Sequence, residues 1–176
     1  MKNKTSQNLK NMTRIAFFTA ILSVLSQIYI PSPSGMPFTL QTFGICLCGY
    51  FLGTKKAICS VMVYLFAGIC GIPVFAGFSG GIGHLLGASG GFLIGFLPLA
   101  ALCGAGSKSR TSVTAICLGI AGLVICHISG NLWFCTITQA DFLSAFVTAS
   151  AVYIPKDIVS VFGAYFFSKL LWKYIK

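Results

Sequence analysis

Acidic residues are almost absent from this chain. Of its 176 residues only Asp141 and Asp157 are acidic, against twelve Lys and Arg, and charged residues of both signs make up 8%. A soluble domain carries about 25% charged residues. The shortfall leaves too little polar surface to face water, so most side chains must be solvated by lipid or protein. It also argues against an enzyme, because general acid–base catalysis draws on His, Asp, Glu, Lys and similar groups. The groups available within or beside the apolar runs are one Asp, one Lys and two His. No Walker pattern with its Lys and Ser/Thr is present, so no phosphate-binding loop is expected. The eight cysteines form no C-x-x-C pair, and none has zinc-like spacing with His84 or His127. A bound metal is therefore not expected, and the cysteines read as small buried hydrophobes. The formal charge of +10 has no polar, soluble face to occupy, which excludes a nucleic-acid-binding patch.

Apolar residues are what the chain has in excess: 56% are hydrophobic and the mean hydropathy is +0.91. A spanning helix needs about 20 apolar residues. The expected architecture is an all-α, polytopic membrane protein in a single domain over residues 1–176. Its six expected spans are 14–30, 38–52, 57–72, 92–103, 113–130 and 154–172. The first follows a basic start, as in a signal peptide, but no small-x-small cleavage site precedes Pro31, so it reads as an uncleaved span. It ends at Pro31-Ser32-Pro33-Ser34-Gly35, and Pro73 stops the third. Residues 142–172 are too long for one untilted span. Pro155 divides them, since proline is tolerated at the first helical position. Residues 139–151 are then a separate short helix or re-entrant piece at the outer surface.

Positive charge orients these spans. Lys2, Lys4, Lys10 and Arg14 precede the first, Lys55 and Lys56 lie between the second and third, and Lys108 and Arg110 between the fourth and fifth. Lys169, Lys173 and Lys176 close the sixth. With both termini in the cytoplasm, all eleven fall on the cytoplasmic side, as the positive-inside rule requires. The twelfth, Lys156, breaks the rule, and it is adjacent to Asp157.

That pair is the first candidate for chemistry. An ionisable residue within a span is costly and marks function by default. Asp157 falls in the first turn of its helix, where the macrodipole favours an anion, and Lys156 can neutralise it. A capping carboxylate beside an interfacial lysine is the plainer alternative. Gln41, early in the second span, needs a partner for its amide, either a neighbouring helix or a ligand. The stretch from Gly77 to Gly91 is rich in glycine, which permits close backbone approach and positive φ. Gly80, Gly81, Gly90 and Gly91 are expected to form a lid or gate over a pocket, and Ser79 is a polar group within it. Ala16 and Ala20 make a small-xxx-small pair that permits close helix approach. His84 and His127 stand alone in the sequence and read as packing or hydrogen-bonding residues.

Taken in order, several motifs resemble the BioY family, the biotin-specific S components of energy-coupling factor transporters. They are Ile30-Pro31, Pro37-Phe38-Thr39-Leu40-Gln41-Thr42, Gly49, Leu52-Gly53, Gly71-Ile72-Pro73-Val74-Phe75-Ala76-Gly77, Ser79-Gly80-Gly81, Gly87-Ala88-Ser89-Gly90-Gly91-Phe92 and Ile154-Pro155-Lys156-Asp157. The resemblance implies a six-helix membrane protein that captures biotin from outside a prokaryotic cell. It implies a membrane coupling protein and two cytoplasmic ATPases as partners, with ATP used by those subunits and no cofactor bound by this chain. Ala16 and Ala20 resemble the surface that docks to the coupling protein. Asp157 matches the acid that the family uses for the ureido ring, Gln41 the glutamine of the second-span motif, Ser79 an asparagine position that contacts ligand, and Phe92 an aromatic position.

Three positions depart from the family pattern. Leu93 stands where at least one member has an arginine suited to the ligand carboxylate. Ala88 replaces a usual proline, and Ser160 a common lysine. The resemblance therefore leaves the carboxylate contact unassigned, with Lys156 and backbone N–H groups of the Gly-rich stretch as substitutes. Other expectations kept open are an S component for a different small vitamin, and a solitary transporter working without the ATPases.

Overall fold

Residues 4–13 contain neither Gly nor Pro, so nothing stops a helix from continuing out of the apolar run that follows them. The computed structural model, which describes residues 2–32 and 37–175, accordingly begins with α1 at Lys2–Gln27. The expected first span starts twelve residues later. Pro33, Ser34, Gly35 and Lys176 lie outside the described residues. After α1 the chain forms β1 (Tyr29–Ile30), which pairs antiparallel with β2 (Phe38–Thr39), Tyr29 opposite Thr39. This two-stranded clip takes residues 38–39 out of the second helix. The remaining elements are α2 (Gln41–Leu52), α3 (Thr54–Ile69), α4 (Ile82–Leu86), α5 (Gly90–Gly106), α6 (Ser112–Thr138), α7 (Phe142–Phe146), a π-helical turn (Val147–Ala151) and α8 (Ile154–Ile175).

Local chemistry accounts for most boundaries. Gly53, at φ +76°, separates α2 from α3 in a conformation that only glycine adopts cheaply. Helix α3 ends at Ile69, three residues before the expected boundary, because Gly71 at φ +92° turns the chain out of the helix ahead of Pro73. Helix α6 begins on Thr111, whose side chain accepts from the Thr114 N–H, and runs eight residues past the expected end to Gln139 in the left-handed region. No Gly or Pro interrupts residues 131–138. Within residues 139–151 the chain forms α7 and its π-helical turn, capped by the Asp141 carboxylate, which accepts from the Leu143 N–H at 3.2 Å. That segment meets α8 at a 41° bend.

Helix α2 is the central element: ten of its twelve residues are buried. It packs on α5 and α8, while α5 packs most extensively on α6. Close approach of α2 and α5 depends on missing side chains, since a Cβ on Gly49 would lie 2.5 Å from Cys103 Cβ. Large apolar side chains face outward, among them Phe17, Phe66 and Phe166 at 62%, 69% and 63% exposure. Of the described helices, α6 alone is by itself long and apolar enough to cross a bilayer; the bent pair Phe142–Ala151 and Ile154–Tyr174 qualifies jointly.

The cysteines divide in a way that the sequence reading did not anticipate. Cys46, Cys48, Cys103 and Cys126 are buried, but Cys59, Cys70 and Cys117 are exposed, and all eight are free. Exposed Cys117 and buried Cys126 share α6, which is apolar on every side, so an apolar neighbourhood in sequence does not distinguish the inner face from the outer.

Candidate functional site

Pro155 and the π-helical turn before it set where α8 begins, and this places Asp157 in the first turn of that helix, with its N–H on the Tyr153 carbonyl at 3.0 Å. Its carboxylate is buried, at 5% exposure. A buried charge is tolerated only when paired and hydrogen-bonded, and Asp157 is both. Oδ1 takes the Lys156 ammonium, and Oδ2 lies 3.2 Å from His127 Nε2. Thr42, in the first turn of α2, is buried beside them. Lys156 also donates to the Thr39 carbonyl at 3.1 Å, which ties the start of α8 to the β-clip.

These groups form one wall of a cavity of about 400 Å³, within the size range of small-molecule sites. Leu93, Phe96, Leu123 and Cys126 give it an apolar wall, and Tyr29, Thr39 and Tyr153 line it near the clip. The expected site residues Asp157, Lys156, Gln41, Ser79 and Phe92 all line this same cavity. Gln41 is buried and its amide nitrogen donates to the Tyr64 hydroxyl at 2.6 Å. Tyr64 donates in turn to the Val74 carbonyl at 3.1 Å, so Gln41 braces the loop as well as facing the cavity. Ser79 donates to the Ala76 carbonyl at 2.7 Å.

The expected lid glycines fall into two groups. Gly80 and Gly81 belong to the loop between α3 and α4. This loop closes through paired backbone bonds between Phe75 and Ser79, 2.9 and 3.3 Å, and through the Gly81 N–H on the Gly68 carbonyl at 2.7 Å. Gly90 and Gly91 are instead buried in the first turn of α5. A Cβ on Gly91 would lie 2.3 Å from Trp133 Cβ, so Gly91 lets α5 approach α6, while a Cβ on Gly90 would collide with the Leu85 carbonyl of α4; neither is a loop residue. Ala16 and Ala20 are away from the cavity, exposed on one face of α1.

Sequence reasoning missed two contributors. His127 is not a lone histidine: α6 carries it to the Asp157 carboxylate, and Phe92 packs edge-on against its ring at 5.8 Å. The two residues are thirty apart in sequence, with no shared motif to link them. Gln27, at the end of α1, holds the loop, its amide nitrogen on the Phe75 carbonyl at 3.1 Å and its oxygen accepting from the Phe78 N–H at 2.8 Å. Phe78 itself has φ +54°, a conformation uncommon for a non-glycine residue, and this side-chain acceptor helps to hold it. No group of three or more potential metal-ligating side chains occurs among the described residues.

The sequence model of the BioY family matches residues 1–176. This chain belongs to the BioY family. It is 37% identical over 150 residues to the "Probable biotin transporter BioY" of Pyrococcus horikoshii, covering 85% of this chain and 88% of that one. It is 34% identical over 167 residues to the "Biotin transporter BioY2" of Lactococcus lactis subsp. cremoris, covering 89% and 91%. Among solved structures it resembles the S component for biotin from an ECF-type ABC transporter, with a TM-score of 0.87 and 28% identity over 96% of this chain and 93% of that one. In this BioY chain the three departing positions have clear surroundings. Leu93 is buried and lines the cavity, adding apolar surface there and no charge. Ser160 donates to the Lys156 carbonyl at 3.0 Å, within α8. Ala88 packs against the small cluster of Phe134, Ala145, Ala149 and Tyr153.

Proposed function

We propose that this chain is the biotin-binding S component of an energy-coupling factor transporter, a membrane protein for vitamin uptake and not an enzyme. The observation that carries the reading is the buried Asp157 carboxylate, held by His127 and Lys156 on the wall of a 400 Å³, largely apolar cavity. A biotin ureido ring offers N–H donors and one carbonyl acceptor. Each carboxylate oxygen has two lone pairs, so Asp157 can take its two protein donors and still accept from the ligand. Charge-assisted bonds of this kind are roughly twice as strong as neutral ones. Lys156 donates to the ureido oxygen, and Leu93, Phe92 and Phe96 pack against the thiophane ring. With Leu93 apolar and Lys156 engaged beside Asp157, the valerate carboxylate is met by Ser79, Ser89 and His84, which also line the cavity.

The rest of the reading follows from charge and surface. The chain crosses the cytoplasmic membrane six times as a single domain, with both termini in the cytoplasm. The cavity opens to the outside, and the loop carrying Ser79, Gly80 and Gly81 is its lid. The exposed face of Ala16 and Ala20 docks to a membrane coupling protein, which works with two ATPases. Calorimetric titration of the purified protein against biotin and a panel of other vitamins tests the ligand. Saturable binding of biotin alone supports the reading, and tighter binding of another vitamin overturns it. Uptake that persists in cells without the ATPases would make the chain a solitary transporter.

A further inference from the structure

Helix α6 and the π-helical turn packed on it carry buried polar groups that the binding scheme does not use. Among the described residues, the buried side-chain polar atoms without a partner are His127 Nδ1, Asn131 Nδ2 and Oδ1, and Ser150 Oγ. The three residues are 7%, 1% and 0% exposed. His127 and Asn131 are four apart on α6, so they share one face. Ser150 belongs to the π-helical turn, which packs against α6. A buried polar group without a partner is destabilising, and an apolar side chain of the same shape removes that cost. Packing alone therefore gives no reason for an amide at position 131, where leucine would serve better. Such an expense points to function.

We propose that Asn131 is a positioning residue for the ligand site. Its amide and the Ser150 hydroxyl hold one buried water, which donates to His127 Nδ1. A buried water needs two to four polar partners, and these three side chains supply them. In a neutral imidazole the bond made at one nitrogen decides which nitrogen carries the proton. A donor at Nδ1 keeps the proton on Nε2, where it donates to Asp157. In the other tautomer the Nε2 lone pair faces the carboxylate and repels it, and that fraction of molecules does not present Asp157 to the ligand. Apparent affinity falls in proportion to the competent fraction.

The inference rests on the biotin reading, and one series of titrations separates the two. Biotin binding and thermal melting are measured on the full chain in detergent for Asn131→Leu, His127→Gln, the double variant and Asp157→Asn. Asn131→Leu is expected to weaken binding about fivefold. His127→Gln keeps an amide nitrogen to donate to Asp157 but has no counterpart of Nδ1. In that background Asn131→Leu is expected to change affinity less than about twofold, since coupled residues are non-additive. Equal loss in both backgrounds, or no loss in the wild type, overturns the proposal. If His127→Gln binds too weakly to titrate, the biotin-induced rise in Tm gives the same comparison. A deleterious Asp157→Asn with a neutral Asn131→Leu removes the inference and leaves the biotin reading; a neutral Asp157→Asn removes that reading itself.

Discussion

His127 Nε2 lies 3.2 Å from Asp157 Oδ2, and Lys156 occupies Oδ1 of the same carboxylate. One donor comes from α6 and the other from α8, so the plane of the carboxylate is set by two elements before any ligand arrives. Pre-set geometry of this kind lowers the ordering cost of binding.

Asp157→Asn is expected to weaken biotin binding at least tenfold, about 1.4 kcal/mol. The amide loses the charge, and one of its two positions becomes a donor facing a donor. Calorimetric titration reads the change. Unchanged affinity in a folded protein would falsify the assignment of Asp157 to the ureido ring.

Lys156→Met removes the partner of a buried charge. Hydrogen bonds to charged groups contribute about 1.5–3 kcal/mol each, so Tm should fall and biotin affinity should fall with it. Adding Asp157→Asn to this variant should recover stability, because the uncompensated charge is gone, but not affinity. Thermal melting of the single and double variants checks this. A double variant no more stable than Lys156→Met would show that the ion pair does not govern stability here.

Ala16→Leu and Ala20→Leu should spare biotin binding and abolish uptake. Both residues are exposed on α1, so a larger side chain disturbs no internal packing and acts only on the face proposed for docking. Binding to purified protein and uptake into cells are measured in parallel. Loss of binding would assign these alanines to the bundle instead.

Gly49→Val should destabilise the protein by about 1–3 kcal/mol, the usual cost of overpacking. The added Cβ would lie 2.5 Å from Cys103 Cβ and 2.9 Å from the Ala100 carbonyl. Neither can yield without parting α2 from α5. A Tm equal to the wild type would mean that the two helices separate at little cost.

Gln41→Leu removes the donor to the Tyr64 hydroxyl, and with it the brace that reaches Val74. Biotin should bind more weakly, and the loop from 71 to 81 should become easier to cleave. Limited proteolysis with and without biotin follows this. An unchanged cleavage pattern would reduce Gln41 to a cavity-lining residue.

Sequence periodicity failed in this chain for the reason that composition succeeded. Scarcity of charge marked a chain built for an apolar solvent, but a helix such as α6, apolar on every side, carries no inner and outer stripe. The cysteines show it, with Cys126 buried and Cys117 exposed on that one helix. Local punctuation was more reliable: Gly53 marks where α2 ends, and α3 ends just before Gly71 rather than at Pro73. Where punctuation was missing, as over residues 131–138, the helix ran on past the expected boundary.

By itself the sequence determined the class of solvent, the approximate helices and the prominence of Asp157, because a lone acid in an apolar chain is expensive wherever the chain folds. It also set Lys156 beside that acid. Tertiary structure alone decided the rest of the site. It brought His127 thirty residues back to Asp157, set the Thr39 carbonyl on Lys156, and buried Gly90 and Gly91 between two helices. These are contacts between elements far apart in the chain, brought together by packing, and no spacing along the chain encodes them.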